Sequence, residues 1–155
     1  MNQQIFFEVC DLQENYVQVI DNDRLEEWPE FFVEECSYKI IPRENLDENL
    51  PATLLNCDSK GMLVDRVVSY RHANIFNVHY TRHVVGMPRI ISLDGSIRAQ
   101  TNYCVFQTQL DGVSTIFQVG TYLDEIVHVG GKLKFKSKEC IADTFSVDRL
   151  LATPV

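Results

Sequence analysis

His79 and His83, four residues apart with His72 and Asp65 upstream, are the first candidates for chemistry in this chain. On a helix, side chains at i and i+4 share one face and could hold a single iron or zinc ion. The local residues favour a strand instead: Val78, Thr81, Val84 and Val85 are β-branched, and Gly86-Met87-Pro88 interrupts the run. In a strand the two rings still share a face but stand about 13 Å apart at ~3.3 Å per residue, too far for one metal. No metal site is expected here. A two-iron cluster held by paired cysteines and histidines needs ligands closely spaced in pairs. No cysteine of this chain has a histidine two residues on, so none is expected.

The second candidate is an acid–base pair, with Asp21 or Asp23 acting together with His72 or Tyr38. A histidine beside a buried carboxylate can be tuned to transfer protons near neutrality. A structural role competes at each position: Asp23 can cap a helix, Asp21 can end one, and His72 can share a polar helix face with Arg66 and Arg71. There is no G-x-S-x-G elbow, phosphate-cradling glycine loop or dinucleotide fingerprint. The five cysteines, Cys10, Cys36, Cys57, Cys104 and Cys140, are an odd number without a C-x-x-C pair. They read as free thiols and not as a disulfide framework or zinc site.

The elements that must position these residues follow from periodicity. Ile5, Val9, Leu12, Tyr16 and Val19 recur at helical steps, and Phe6, Val17 and Ile20 widen the stripe into a face that needs covering. Asp23 and Glu26 form a D-x-x-E box that would start a second helix, limited by Pro29. Trp28-Pro29 and Phe31-Phe32 then lead into a strand at Tyr38, so two helices fold back over the mouth of a curved sheet. The stretch Pro42 to Pro51 reads as a loop. Asp58 or Ser59 can cap a further helix through Met62, Leu63, Val67 and Tyr70, ending around Asn74 to Asn77.

The second half has strand rhythm, with turns at Asp94-Gly95, Asp111-Gly112 and Gly130-Gly131 between runs rich in Val, Ile, Thr, Phe and Tyr. These predict a four-stranded antiparallel meander. Val113, Thr115, Phe117, Val119, Thr121 and Leu123 are expected on one face, and Lys132, Lys134, Lys136 and Lys138 on a solvated one. Runs of about 12 to 15 residues exceed the usual strand and must curve, with Gly120 a candidate kink or bulge. A chain of 155 residues with 45% hydrophobic content makes one domain, 1–155, able to bury about 70% of its unfolded surface. The net charge of −8 argues against nucleic-acid or anionic-membrane partners. No run approaches a membrane span and no basic leader opens the chain, so a cytoplasmic protein is expected.

Helices laid into a curved antiparallel sheet give a layered α+β cone that resembles the cystatin-like fold of nuclear transport factors, scytalone dehydratase and ketosteroid isomerases. Enzymes and binding modules both occur on it, so fold alone does not decide function. The run Tyr16, Asp21, Asp23, Trp28-Pro29, Phe32, Cys36, Tyr38 resembles the start of small (β) subunits of aromatic-ring-hydroxylating dioxygenases. Arg43-Glu44-Asn45, Met62-Leu63-x-Asp65-Arg66, Arg71-x-Ala73-Asn74-Ile75, Tyr80-x-Arg82-His83 with Gly86-x-Pro88, and the ending from Cys140 and Asp143 to Leu150-Leu151-Ala152-x-Pro154 continue the likeness. It is closest to subunits serving terephthalate, anthranilate or salicylate enzymes.

This resemblance implies a non-catalytic assembly subunit without cofactors of its own. A large (α) subunit would carry a Rieske 2Fe-2S cluster and mononuclear non-haem iron, and a reductase would bring electrons from NADH. Three small subunits would form a homotrimer beneath three large ones, an α3β3 hexamer that hydroxylates an aromatic carboxylate in aromatic catabolism. Assembly requires an exposed apolar patch, for which Phe145 to Val155, with Leu150, Leu151 and Val155, is a candidate; a tail packed on its own sheet is the other reading of that segment. Arg66, Arg71, His72, Arg82 and His83, dense within 18 positions of an acidic chain, are candidates for a polar contact with the large subunit, with intrachain pairing to local carboxylates such as Asp65 as the other reading. The other reading is a free-standing cone-fold isomerase or dehydratase using Asp21, Asp23, Tyr38 and His72.

Overall fold

A computed structural model describes residues 2–73, 79–143 and 154–155. Its elements in chain order are α1 (Gln3–Asp21), a 3₁₀ segment (Leu25–Phe31), β1 (Phe32–Pro42), α2 (Arg43–Asp47), β2 (Leu55–Cys57), α3 (Lys60–Ala73), β3 (His79–Val85), β4 (Arg89–Ser92), β5 (Ile97–Gln109), β6 (Ser114–Val129) and β7 (Lys132–Ala142). The predicted loop from Pro42 therefore contains one short helix. The predicted end of α3, at Asn74 to Asn77, lies outside the described residues. No helix among the described residues is long and apolar enough to cross a membrane.

The apolar stripe buries α1 as expected: Val9, Leu12, Tyr16, Val17, Val19 and Ile20 all join the core. The helix opens on the Asn2 carboxamide, which accepts the Ile5 N–H at 3.3 Å. It ends in a paired C-terminal cap, with Asp23 N–H bonded to the Ile20 carbonyl and Arg24 N–H to that of Val19. Asp23 takes a left-handed φ of 57° to make that cap. This corrects the predicted capping box. Asp23 closes the first helix and does not open the next, which is a 3₁₀ segment that begins at Leu25 without a side-chain cap and runs through Pro29. Ser59 does cap α3, its hydroxyl accepting the Met62 N–H at 3.2 Å.

The predicted meander is present as β4 to β7, and three further pairings, β1 with β7, β1 with β2 and β3 with β5, extend it. The strand order is β2-β1-β7-β6-β5-β3, with β4 also on β5. All neighbours are antiparallel except β1 and β7, which run parallel and bring Tyr38 beside Lys138. Two bulges bend the long strands. One lies opposite Val105/Phe106 in β5 and β6, the other between Glu125 and Ile126 opposite β7. Each extra residue reverses the inward–outward phase, and this corrects both facial expectations. Beyond the first bulge Gln118, Gly120, Tyr122, Asp124 and Ile126 point inward, while Val119, Thr121 and Leu123 point out. Beyond the second, Lys138 follows Phe135 into the interior and leaves the solvated lysine row. The core lies between α1, the 3₁₀ segment and the concave face, where Trp28, Tyr16, Tyr38, Tyr122, Phe32 and Phe135 are its largest buried groups.

Candidate functional site

Asp21, the last residue of α1, reaches the edge strand β3. One carboxylate oxygen accepts the His83 backbone N–H at 2.7 Å, and the other lies 2.6 Å from His83 Nδ1. Both side chains are 1% exposed. Nδ1 faces the carboxylate as a donor, and Nε2 has no hydrogen-bond partner among the described residues. Asp21 is thus paired with His83 and not with His72, which is exposed in the last turn of α3. Asp23 lies outside the cone, where Arg71 binds it at 2.7 Å and grips both oxygens of Glu26 at 2.7 and 2.9 Å. The Arg71 hydrogen bonds hold the Glu26 carboxyl down to about 2, well below the usual carboxylate range. Tyr38 is buried deep in the cone. The four candidate acid–base residues do not converge on one site.

Inside the cone is a polar cluster that sequence reasoning missed. Lys138 Nζ donates to Gln13 Oε1 at 3.0 Å and lies 3.2 Å from Asp124 Oδ1. Gln13 Nε2 donates back to Asp124 and to the Thr101 hydroxyl. The ammonium also sits over the rings of Tyr122 at 3.7 Å, Phe135 at 4.3 Å and Tyr16 at 4.6 Å. Burial raises the Asp124 pKa and lowers that of Lys138, and each charge partly offsets the other's shift. The available sequence signals were Gln13 within the apolar face of α1 and Asp124 between Tyr122 and Ile126. The bulge that turns Lys138 inward leaves no local mark.

Beside this cluster, Val155 enters the cone. Tyr16 Oη donates to its main-chain oxygen at 2.6 Å and Tyr38 Oη at 3.1 Å, while its N–H donates to Tyr38 Oη at 3.0 Å. Val155 is therefore an interior residue and not part of a surface patch. Leu150 and Leu151, the other expected members, lie outside the described residues.

The exposed apolar surface is on the outer face of the sheet. In register across β3, β5 and β6 lie Tyr80, Thr108 and Ser114, then Arg82, Phe106 and Ile116, then Val84, Cys104 and Val119. Tyr80 is 65%, Ile116 63% and Val84 57% exposed. Of these described residues Arg82 alone is charged. Of the expected polar contacts, Arg82 is exposed on this face, Arg66 is half-buried on α3, Arg71 is engaged with Asp23 and Glu26, and His83 is internal. The sheet's pleat separates Arg82 from its neighbour His83, so the two cannot present side chains to one partner surface. A hollow of about 440 Å³ on the outer face is lined by Val84, Asn102, Cys104, Val119 and Thr121, with Arg43 and Asp143 also on its wall. No cluster of three or more His, Cys, Asp or Glu placed to hold a metal occurs among the described residues.

The family model for the ring hydroxylating beta subunit matches residues 16–149. The chain is 46% identical over 151 residues to the anthranilate 1,2-dioxygenase small subunit of Burkholderia cepacia, covering 97% of this chain and 94% of that one. It is 36% identical to the terephthalate 1,2-dioxygenase terminal oxygenase component subunit beta 2 of Comamonas, over 90% of this chain and 92% of that one. A crystal structure from Novosphingobium aromaticivorans, of a protein assigned as the beta subunit of an aromatic-ring-hydroxylating dioxygenase, superposes with a TM-score of 0.91 at 44% identity. It covers 99% of this chain and 98% of its own. A protein from the same organism assigned as a scytalone dehydratase shares the cone at a TM-score of 0.74 but 17% identity, over 98% and 93% of the two chains, and speaks for the fold alone.

Proposed function

From the premise that the chain belongs to the ring hydroxylating beta subunit family, we propose that this small subunit of an aromatic-ring-hydroxylating dioxygenase supports assembly and performs no catalytic step itself. Its partner is a large subunit carrying a Rieske 2Fe-2S cluster and a mononuclear non-haem iron. Electrons reach that partner from NADH, and the substrate is an aromatic carboxylate, degraded in aromatic catabolism. Three copies of this chain associate and hold three large subunits in an α3β3 hexamer. The observation that carries the reading is the 46% identity to an anthranilate dioxygenase small subunit along 97% of the chain. Two features of the molecule support it. The cone interior is filled by its own aromatic side chains and the Lys138–Asp124 pair, and the outer face of β3, β5 and β6 offers exposed apolar side chains for a partner.

Light scattering on the chain alone and after co-expression with the large subunit tests the proposal. A mass near 54 kDa alone, three times 17.9 kDa, is expected. With the large subunit it should rise to a stable hexamer that hydroxylates an aromatic acid only when both are present. A chain that ignores the large subunit, or that turns over an aromatic acid by itself, would defeat it.

A further inference from the structure

β3 ends one side of the sheet, and among the described residues no strand lies beyond it. In an antiparallel ladder, alternate residues turn their backbone N–H and C=O toward the neighbouring strand and away from it. Two hydrogen bonds fix that phase on β3. Gly86, just past the strand, donates its N–H to the Asn102 carbonyl of β5 at 2.8 Å, whereas His83 donates its own to Asp21 at 2.7 Å. Arg82 and Val84 therefore bond to β5, and Thr81, His83 and Val85 turn their backbone groups to the open side.

An edge of this kind is a template for another strand. Tyr80 and Val84 are exposed on the outer face of β3, so a strand added there would gain apolar contacts along with a ladder. Asp21 stands in its way. The carboxylate takes the middle N–H of the three with one oxygen, and the other lies 2.6 Å from His83 Nδ1 and 3.4 Å from the Thr81 hydroxyl. Both Asp21 and His83 side chains are buried, so an arriving strand would have to take the N–H from a carboxylate with no water to replace it. Two copies meeting antiparallel about His83 would also bring two Asp21 carboxylates together, which opposes pairing.

We propose that the open side of β3 is a latent strand-pairing surface for β3 of a second copy, kept shut by Asp21. The carboxylate occupies the place of the missing strand, and the His83 ring holds it there. Asp21 is thus a positioning residue, delivered to the edge by the C-terminal end of α1. Neither the large subunit nor any catalytic step enters into this device.

Amide exchange and sedimentation of the chain alone test it. In the parent, the His83 amide is expected to exchange about tenfold or more slowly than those of Thr81 and Val85. Asp21→Ala should bring it to their rate in dilute solution and, at higher matched concentration, add species heavier than the parent's. Thr81→Pro in that background removes an outward N–H without breaking the β5 ladder and should return the mass to the parent's. Asp21→Asn keeps an oxygen for the His83 N–H and should also stay at the parent's mass. Equal rates at the three amides of the parent overturn the proposal, whether or not any variant folds. So do an Asp21→Ala chain that keeps both its far-UV spectrum and the parent's mass, extra association that survives Thr81→Pro, and association of Asp21→Asn equal to that of Asp21→Ala.

Discussion

Lys138 and Asp124 bring two full charges out of water into an aromatic interior, and their side chains are 0% exposed. A buried pair of this kind is weak support for stability but costly to halve, because the remaining charge keeps its desolvation penalty. Lys138→Met is therefore expected to destabilise the chain by about 3–5 kcal/mol, whereas Lys138→Met with Asp124→Leu recovers most of that loss. Urea unfolding of the two single variants and the double variant measures the coupling, and strictly additive losses would reject it. On the surface, the Arg71 grip on Glu26 depresses that carboxyl from 4.5 to about 2. The folded chain then binds fewer protons than the unfolded chain between those values. The contribution is fully present above pH 4.5 and is lost as the pH falls through about 2. Because Glu26 is exposed to solvent and salt, the effect is small. Glu26→Gln should flatten the acid limb of stability between about pH 4.5 and 2, read from urea midpoints at successive pH values; parallel limbs for the two chains would count against the ion pair. Asp21 differs from both cases, since its carboxylate holds a backbone N–H and an imidazole of β3 at once and so joins the end of α1 to the sheet edge.

At the scale of elements, what was legible in the sequence is what one local period encodes. The 3.6-residue stripe places α1, the Ser59 cap opens α3, and the turns around Gly95, Gly112 and Gly130-Gly131 deliver the hairpins of β4 to β7, with these glycines at positive φ. The failures share a cause, which is dependence on partners far along the chain. The spacing of Asp23 and Glu26 alone matches an N-cap. Both carboxylates are instead drawn to Arg71, more than forty residues away, while the left-handed turn at Asp23 closes α1. The inward Lys138 depends on a bulge set by the pairing of β6 with β7, and the parallel β1–β7 ladder has no local signature at all. The same distance hid His83 from Asp21. Gly120, a candidate kink or bulge by its sequence, is a point of close approach, where an added Cβ would overlap the Ile141 carbonyl oxygen and lie 2.9 Å from Tyr103 Oη. The backbone oxygen cannot move without disturbing the ladder, so Gly120→Ala should cost about 1–3 kcal/mol by overpacking. Thermal unfolding of Gly120→Ala tests this, and an unchanged melting temperature would mean that β6 and β7 can separate freely there.

At the scale of the whole molecule, the charge of −8 means that any two copies repel at long range unless they meet through a face without carboxylates. The three register rows from Tyr80 to Val119 across β3, β5 and β6 form such a face, apolar along Val84, Phe106, Ile116 and Val119 and carrying Arg82 as its charge. Their outward side chains contribute nothing to the core on the other side of the pleat, so they can be changed without opening a cavity. A carboxylate introduced there restores the repulsion and must be desolvated in any complex formed through the face, which opposes association far more than folding. Val84→Asp combined with Ile116→Asp is accordingly expected to leave the unfolding free energy of the single chain within about 1 kcal/mol. Under the proposed homotrimer, its solution mass should be 17.9 kDa where the parent's is expected near 54 kDa, with recovery of the large subunit on co-purification reduced at least tenfold. Sedimentation at matched concentrations, alongside far-UV spectra that confirm the fold, decides it. A double variant that assembles like the parent would move the interface to another face, whereas one that unfolds outright would show that the outer rows hold up the sheet itself.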